Sequence, residues 1–439
     1  MKSKKVLAAA LAAALAVSMA ACSGGTSSGG TTASGSGEGG GATGETVNLT
    51  IWSPTDTAGI EQWWVDTLNT WNSEHPEIKV SREAIDRSSS YDYENKITTA
   101  TTSNSLPDIL FIDGPMVSYY AANGIIIPID DVYTEEDKED FMPSTIQQNT
   151  YDGHLYAIGA TESSVLLYYN KDYLDAAGIE YPTDSDINEA WTWSEFAENA
   201  AKLTTSDYVG TNIIMDKGEG IIYGLGSFWN EADAPMVSDD GTTAEGYVNS
   251  DASVETLNYL ADLVKNGYAN QDPITDEFLN GKCATMLGGS WNIQTLEGSD
   301  LNWGVSYYPV SDDGKAVSPT GDWSAGVSKN CENTDAAFEF LQWLMNTENC
   351  ATYADTISKP ATRISSYDLM EGWDEGPRAL VRWQLENTGV ARPRTPSYSI
   401  LSTEFASAFL NVISGSDAKT ELDNVAAEFD DDYQTYYAE

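Results

Sequence analysis

The sequence predicts an α/β protein in which a joint of small residues connects two lobes. Three observations support this. About 395 residues follow the polar segment that ends at Gly44, strand-like and helix-like segments alternate along them, and one apolar strand pattern is interrupted by small residues. A body of this length holds sizeable hydrophobic cores. Alternating strands and helices favour parallel strands joined by right-handed crossovers.

The first lobe begins with an alternating strand pattern at residues 47–52. A helix follows, and His75-Pro76 ends it. A second strand is predicted at 78–85, then a polar stretch at 92–105. The continuously apolar run of residues 109–112 is typical of a parallel strand covered on both faces. The apolar residues that recur at helical spacing in the helix are Ile60, Trp64, Leu68 and Trp71.

The interrupted strand pattern predicts a hinge. Asp152-Gly153 marks a turn, and apolar segments at 155–158 and 165–169 follow, with a short helix that ends at Gly178. Between the two segments lie small residues from Gly159 to Ser164 and one carboxylate, Glu162. Such a joint would let the chain cross from one lobe to the other. Taken alone, it is equally compatible with two ordinary core strands around a loop.

The same alternation resumes after the joint. Thr192 and Glu195 form a capping-box pattern that predicts a helix, and a second apolar stripe ends at Gly267. The remaining predicted elements are a helix at 254–264, a turn and strand at 278–286, a strand at 303–310, helices at 335–346 and 402–413, and an acidic amphipathic tail.

The N-terminus predicts export and lipid attachment. Lysines precede a short apolar run, which is typical of a secretory signal peptide over residues 1–21. The run ends in Met19-Ala20-Ala21-Cys22, which resembles a bacterial lipobox and makes Cys22 the lipidated residue. The alternative is an ordinary signal peptide with an incidental cysteine. Residues 22–45 are rich in Ser, Gly and Thr, so we expect a flexible tether after the anchor.

Composition excludes several classes of function. A formal net charge of −46 excludes a general nucleic-acid binder, which needs clustered Lys and Arg. With two histidines in the chain, histidine-based catalysis and a multi-histidine metal site are disfavoured, and we expect neither metal nor cofactor. Cys283, Cys331 and Cys350 show no C-x-x-C spacing and leave no complete disulfide framework after Cys22. A pair of catalytic carboxylates stays open, because 68 acidic residues always offer pairs.

Aromatic residues point to a carbohydrate site. The chain contains 13 Trp and 24 Tyr. The apolar face of a sugar ring packs on flat aromatic surfaces, and its hydroxyl groups seek polar partners. Trp229, Trp291 and Trp323 lie beside small or polar residues, where we expect strands to pass into loops. A single tryptophan is more often a core residue, but we expect at least two of these three to line a cleft.

Seven segments in collinear order resemble the sugar-binding lipoproteins of ABC importers, in the family 1 extracellular solute-binding group that includes maltodextrin-binding proteins. The resemblance extends from Val47 to the C-terminus, and each segment alone is weak. The segments are Leu106-Pro107-Asp108-Ile109-Leu110, Tyr168-Tyr169-Asn170-Lys171-Asp172, Ala177-Gly178, Trp191-Thr192-Trp193-Ser194-Glu195-Phe196, Phe278-x-x-Gly281-Lys282, Gly289-Ser290-Trp291 and Ser324-Ala325-Gly326-Val327.

The resemblance implies a type II periplasmic-binding-protein fold with ligand between two lobes. It places one lobe at 46–158 plus 324–378, the other at 159–323 plus 379–439, and three hinge crossings near 159–163, 319–323 and 375–382. Asp56 is equally compatible with a helix N-cap, and Arg363 with a structural salt bridge. Glu162 faces either the ligand or the hinge. The implied ligand-binding residues are Asp56, Asp113, Glu162, Trp229, Trp291, Asp322, Trp323, Arg363 and Tyr398.

The implied function is capture of a sugar or oligosaccharide and its delivery to ABC permease subunits, by a lipid-anchored monomer on the extracellular face of the membrane. No catalysis is expected. The alternative is a lipid-anchored surface enzyme that acts on carbohydrate, which product formation would distinguish. The sequence does not specify which sugar is bound or how many rings it has.

Overall fold

The computed structural model describes residues 46–86, 92–272 and 274–438. The predicted signal peptide at 1–21, lipidated Cys22 and the tether up to residue 45 lie outside the described residues. Within the described part, none of the helices is long and apolar enough to cross a membrane.

Strands and short helices alternate through the described chain. The strands are β1 (Val47–Pro54), β2 (Ile78–Ile85), β3 (Ile109–Asp113), β4 (Thr150–Tyr151), β5 (His154–Leu155), β6 (Ala157–Ile158), β7 (Val165–Asn170), β8 (Val209–Asn212), β9 (Cys283–Gly289), β10 (Trp303–Ser306), β11 (Ser318–Thr320), β12 (Trp323–Val327) and β13 (Gly389–Ala391).

The α-helices are α1 (Ala58–Glu74), α2 (Asp92–Ser103), α3 (Met116–Ala122), α4 (Glu135–Glu139), α5 (Pro143–Gln148), α6 (Lys171–Ala177), α7 (Trp193–Leu203), α8 (Glu219–Glu231), α9 (Asp251–Lys265), α10 (Asn292–Glu297), α11 (Thr334–Leu344), α12 (Thr347–Ile357), α13 (Gly376–Thr388), α14 (Tyr398–Ile413) and α15 (Ala418–Tyr436). Short 3-10 helices lie at Asp130–Val132, Ile187–Glu189 and Ile364–Leu369.

Two sheets organise the body into two lobes. The first has the strand order β2-β1-β3-β12-β6, with β1 parallel to β2 and β3 and with β12 antiparallel to β3. The second has the order β10-β7-β9-β8. Helices cover both, and large apolar clusters form beneath them. Two sheets with their own cores give the mixed α/β fold in two lobes that the sequence predicts.

The chain passes between the two sheets at the joint of small residues. Residues 159–164 connect β6 of the first sheet to β7 of the second, and residues 307–322 lead back from β10 to β12. Near the return, Ser164 Oγ donates to the Pro319 carbonyl oxygen at 2.7 Å. A third passage leads from α12, which packs on α1, through α13 to α14, which packs on α8 and α9. The chain therefore crosses between the lobes three times.

Most predicted elements are present, with their caps. The helix with the 192–195 capping box is α7, and both hydrogen bonds of the box form. Helix α1 ends at Glu74, as the His75-Pro76 pair predicts. Helix α6 ends at Gly178 in a left-handed conformation with φ 66°. The three cysteines of the described chain are buried and free. Local capping chemistry therefore fixes these boundaries.

Two elements differ from the prediction. The polar stretch at 92–105 contains helix α2, which buries Tyr93, Ile97 and Ala100 on one face. Residues around Trp229 form helix α8 rather than a strand-to-loop junction, and the indole lies in the core with no exposed surface. Helix α8 is apolar around most of its circumference, so its periodicity is weak in the sequence.

Candidate functional site

A cavity of about 450 Å³ lies between the two sheets. Asp113 at the end of β3 and Trp323 at the start of β12 border it from the first sheet. Gly288 and Gly289 at the end of β9 border it from the second sheet, and the first turn of α8 adds Glu219. Its volume lies within the range of small-molecule sites. Four of the predicted binding residues line it, namely Asp113, Trp291, Asp322 and Trp323.

Trp291 forms an aromatic wall of this cavity. It lies two residues after the end of β9, and its ring folds back over Gly289, where an added Cβ atom would lie 2.2 Å from the indole. The ring stacks on Tyr223 of α8, with ring centroids 5.8 Å apart and an interplanar angle of 25°. The side chain is 41% exposed, unlike the other large aromatic residues of the core. An exposed indole that is backed by a buried tyrosine ring offers a flat apolar surface to a ligand at the cavity.

Asp322 and Lys359 form an ion pair at the same wall. Lys359 Nζ lies 3.0 Å from both carboxylate oxygens of Asp322. Thr161 Oγ1 donates to Asp322 Oδ2 at 2.8 Å, so the carboxylate also joins the first and second hinge passages. Lys359 Nζ lies 5.7 Å from the centroid of the Trp291 ring. The ammonium group is therefore held between a carboxylate and the aromatic wall.

Arg392 joins the two lobes at the base of the cavity. Its Nη2 lies 2.7 Å from Asp113 Oδ1 at the end of β3, and its Nη1 contacts Glu219 at the start of α8. The guanidinium lies over the ring of Tyr223, 5.2 Å from the centroid. Gly321 leaves room for it, since a Cβ atom there would lie 2.6 Å from Nη2. The side chains of Arg392, Asp113 and Glu219 are 7%, 19% and 23% exposed, so this ion-pair cluster is largely shielded from water.

The carboxyl group of Glu219 is surrounded by donors. Besides Arg392, the hydroxyl groups of Tyr398 and Ser402 donate to it from α14. Burial raises the pKa of Glu219, and the nearby Arg392 opposes this rise. Tyr398, a predicted binding residue, is itself buried and lies behind Glu219 rather than at the cavity. It orients Glu219, which in turn holds Arg392.

Glu162 faces the interior of the hinge and not the cavity. Its side chain is fully buried, and its Oε2 accepts hydrogen bonds from Thr145 Oγ1 at 2.8 Å and Gln148 Nε2 at 3.2 Å, both on α5. Its Oε1 is buried without a hydrogen-bond partner. Burial raises the pKa of Glu162 to about 8, and the Thr145 hydroxyl opposes the shift. Of the two roles considered from the sequence, this geometry corresponds to bracing the hinge.

A pH dependence of stability follows from Glu162. Its pKa rises from 4.5 to about 8 on folding, so between these values the folded chain binds more protons than the unfolded chain. The free energy of unfolding contributed by this group therefore falls as pH rises from 4.5 to 8. We expect Glu162→Gln to remove up to about 1.4 kcal/mol of this fall per pH unit. Urea denaturation at several pH values measures the difference, with exposed Glu136→Gln as control. Parallel curves for wild type and Glu162→Gln would contradict the assignment.

The other predicted binding residues lie away from the cavity. Trp229 is a core residue of α8 and packs edge-on against Phe405 of α14, with ring centroids 4.9 Å apart. Arg363 pairs with Asp140 at 2.9 Å, which is the structural role considered for it from the sequence. Asp56 is exposed, and its Oδ1 accepts from the backbone N–H of Thr57 just before α1. Thr57, not Asp56, provides the N-cap of that helix.

Several residues that line the cavity were not found from the sequence. Glu277 is nearly buried, accepts a hydrogen bond from Asn212 at 2.6 Å, and has a pKa that burial raises. No sequence motif marks Tyr223, Glu219 or Arg392 either. Glu219 could have been noticed because it is a charged residue at the start of an otherwise apolar helix. The described residues contain no group of three or more His, Cys, Asp or Glu side chains arranged to hold a metal ion.

Solved structures show which class of fold this is. The binding protein for cyclic α-maltosyl-1,6-maltose from Arthrobacter globiformis superposes with a TM-score of 0.76 at 21% identity, covering 89% of this chain and 100% of its own. That protein and its structural relatives are two-lobed solute-binding proteins similar to maltose-binding protein. The two lobes and the cavity between them therefore define a solute-binding protein fold.

The sequence comparison identifies the family. The model for bacterial extracellular solute-binding proteins matches residues 63–379, so the chain belongs to that family. The galactooligosaccharide-binding protein of Bacillus subtilis (strain 168) is 25% identical over 73% of this chain and 75% of its own. The sn-glycerol-3-phosphate-binding periplasmic protein of Escherichia coli (strain K12) is 27% identical over 70% of this chain and 72% of its own.

Proposed function

We propose that this chain captures a sugar or oligosaccharide in the cavity between its lobes and delivers it to the permease of an ABC importer. The observation that carries the proposal is the stacked pair of Trp291 and Tyr223 at the cavity wall. A sugar ring presents an apolar face that fits such a surface. Carboxyl and amide groups around the pair offer acceptors and donors for the ring hydroxyls.

The proposed ligand contacts are the predicted residues that line the cavity and Tyr223 beside them. Trp291 stacks on the sugar, Tyr223 supports the indole, and Trp323 borders the sugar from the first lobe. Asp113 and Asp322 retain acceptor capacity beyond their ion pairs, since a carboxylate accepts about four hydrogen bonds. The relatives support a sugar as ligand, because one of them is named for galactooligosaccharide binding and a structural neighbour for a cyclic maltose derivative.

Capture proceeds by lobe closure without covalent chemistry. The proposed lobes are residues 46–158 plus 324–378 and 159–323 plus 379–439, which bend at the three passages. Closure excludes water from the cavity and strengthens the polar contacts there. The membership of β1 and β12 in one sheet and of β7 and β9 in the other supports this division.

The proposed location is the outer face of the cell membrane. Cleavage before Cys22 and its lipidation would anchor the chain, and the tether would hold the body near the permease. We propose that the body acts as a monomer, because the cavity is built from residues of one chain. Metabolic labelling with a fatty-acid analogue tests the anchor, and Cys22→Ala serves as its control.

Titration calorimetry with neutral oligosaccharides tests the function. We expect stoichiometric binding of at least one member of a panel of galacto- and malto-oligosaccharides, and no product after long incubation. Turnover of a bound sugar would contradict the proposal and favour a surface enzyme. Failure of every sugar in this neutral panel, and of charged sugars titrated beside it, would overturn carbohydrate binding itself.

A further inference from the structure

We infer that the cavity selects uncharged sugars and rejects sugars that carry a carboxylate or phosphate. This inference rests on the proposed function and narrows the class of sugar. It follows from the charges that line the cavity and from the partners that these charges already have. Among the described lining residues, the cations are Lys359 and Arg392, whereas six residues carry carboxyl groups. Those six are Asp113, Asp216, Glu219, Asp276, Glu277 and Asp322.

Arg392 is already bound on two sides by carboxylates. Asp113 accepts from Nη2 at 2.7 Å and from Nη1 at 3.3 Å, and Glu219 accepts from Nη1. The face of the guanidinium lies over Tyr223. An anionic ligand at the guanidinium would compete with these partly buried carboxylates, and a displaced carboxylate would lose its cation in a site largely shielded from water.

Lys359 is engaged in the same way. Both oxygens of Asp322 lie 3.0 Å from its Nζ, and the Asp322 carboxyl is nearly buried. An anion beside Lys359 would lie within a few ångströms of Asp322. The repulsion between two like charges at that distance offsets the attraction of the lysine.

Two further lining carboxyl groups, those of Asp216 and Glu277, are held by uncharged donors. Asp216 Oδ1 accepts from the backbone N–H groups of Gly218 at 2.7 Å and Gly220 at 3.0 Å. Glu277 accepts from Asn212 at 2.6 Å and from Asn270. These donors are therefore taken up by the protein's own carboxyl groups. What the wall offers a ligand is mainly acceptors, which suit sugar hydroxyls and repel a second anion.

This charge pattern predicts a different kind of ligand from that of one relative. The sn-glycerol-3-phosphate-binding protein is named for a phosphorylated ligand. A phosphate requires a cation or donors that are free to bind it. Both lining cations of the described chain are paired with carboxylates. Membership of the same family therefore does not predict that this cavity binds a phosphorylated ligand.

Matched neutral and anionic sugars test the inference. Calorimetry compares each neutral trisaccharide that binds with the same trisaccharide carrying a carboxylate in place of one 6-hydroxymethyl group, and with sn-glycerol 3-phosphate. We expect the carboxylated forms to bind at least about 30-fold more weakly, whichever ring carries the charge. Equal or tighter binding of a carboxylated form would overturn charge selection while leaving sugar binding intact. Binding of sn-glycerol 3-phosphate without any sugar would overturn both.

A pair of variants tests whether the ion pair of Asp322 and Lys359 causes the discrimination against anionic sugars. Asp322→Asn removes the partner of Lys359 with little change in shape, so we expect the ratio of anionic to neutral affinity to rise by about 10-fold. Asp239→Asn removes an exposed carboxylate outside the cavity and should leave this ratio unchanged. The ratio cancels any general loss of binding through altered folding. An unchanged ratio in Asp322→Asn, or an equal rise in both variants, would refute the role of the ion pair.

Discussion

Replacement of Trp291 by alanine is expected to weaken sugar binding by about 30- to 150-fold, or roughly 2–3 kcal/mol. The loss is large because this ring is exposed at the cavity, lies over Gly289 and stacks on Tyr223. Truncation removes the stacking surface, and no neighbouring side chain replaces it. Calorimetric titration of the variant with the sugar that binds the wild type measures the change.

The control variants distinguish the loss of the stacking surface from an unspecific effect of removing a tryptophan. Trp291→Phe retains a flat ring and should recover most of the affinity. Trp63→Ala removes a tryptophan of α1 that packs on Tyr353 away from the cavity, and it should leave the affinity unchanged. If Trp291→Ala bound sugar as tightly as the wild type, the aromatic wall would not be the binding surface, even if the chain binds sugar elsewhere.

Replacement of Arg392 by methionine is expected to lower the free energy of unfolding by about 3–5 kcal/mol. The arginine side chain is 7% exposed and compensates Asp113 in one lobe and Glu219 in the other. Without it, two carboxyl groups remain in a site largely shielded from water with no cation between them. Urea denaturation of the unliganded protein measures the loss.

A second substitution tests whether uncompensated charge causes the loss of stability in Arg392→Met. Glu219→Gln in the Arg392→Met background removes one of the stranded charges and should recover part of the lost stability. The exposed Arg394, which donates to the Gln147 carbonyl oxygen, offers a matched control, and Arg394→Met should change stability little. A loss in Arg392→Met no larger than in Arg394→Met would contradict a structural ion-pair cluster at the cavity base.

Local patterns in the sequence predicted the fold well. The capping box at 192–195, the helix stop at Gly178 and the apolar run of β3 each depend on neighbouring residues, and each is present in the structure. Trp291 was also found from local residues, namely its small and polar neighbours and the Gly289-Ser290-Trp291 segment that follows Phe278-x-x-Gly281-Lys282. Helix α8 was missed because it is apolar on nearly every side, and Trp229 was consequently assigned to a strand-to-loop junction.

The site itself is assembled from distant parts of the chain. Arg392 and Glu219 are 173 residues apart, and Arg392 and Asp113 are 279 apart. No local pattern marks Arg392 as the partner of either carboxylate, because such pairing is decided by how the lobes pack. For Glu162, the sequence placed the residue at the hinge, but only α5, with Thr145 and Gln148, determines where its carboxyl group points.

The central claim is that a sugar lies between the lobes against Trp291 and Tyr223. A crystal structure of the chain with an oligosaccharide selected by calorimetry tests it most directly. We expect one sugar ring to stack on Trp291, with its hydroxyl groups hydrogen-bonded to residues of both lobes and Arg392 still paired with Asp113 and Glu219. A sugar bound outside this cavity, or contacting one lobe alone with Trp291 free, would contradict the account.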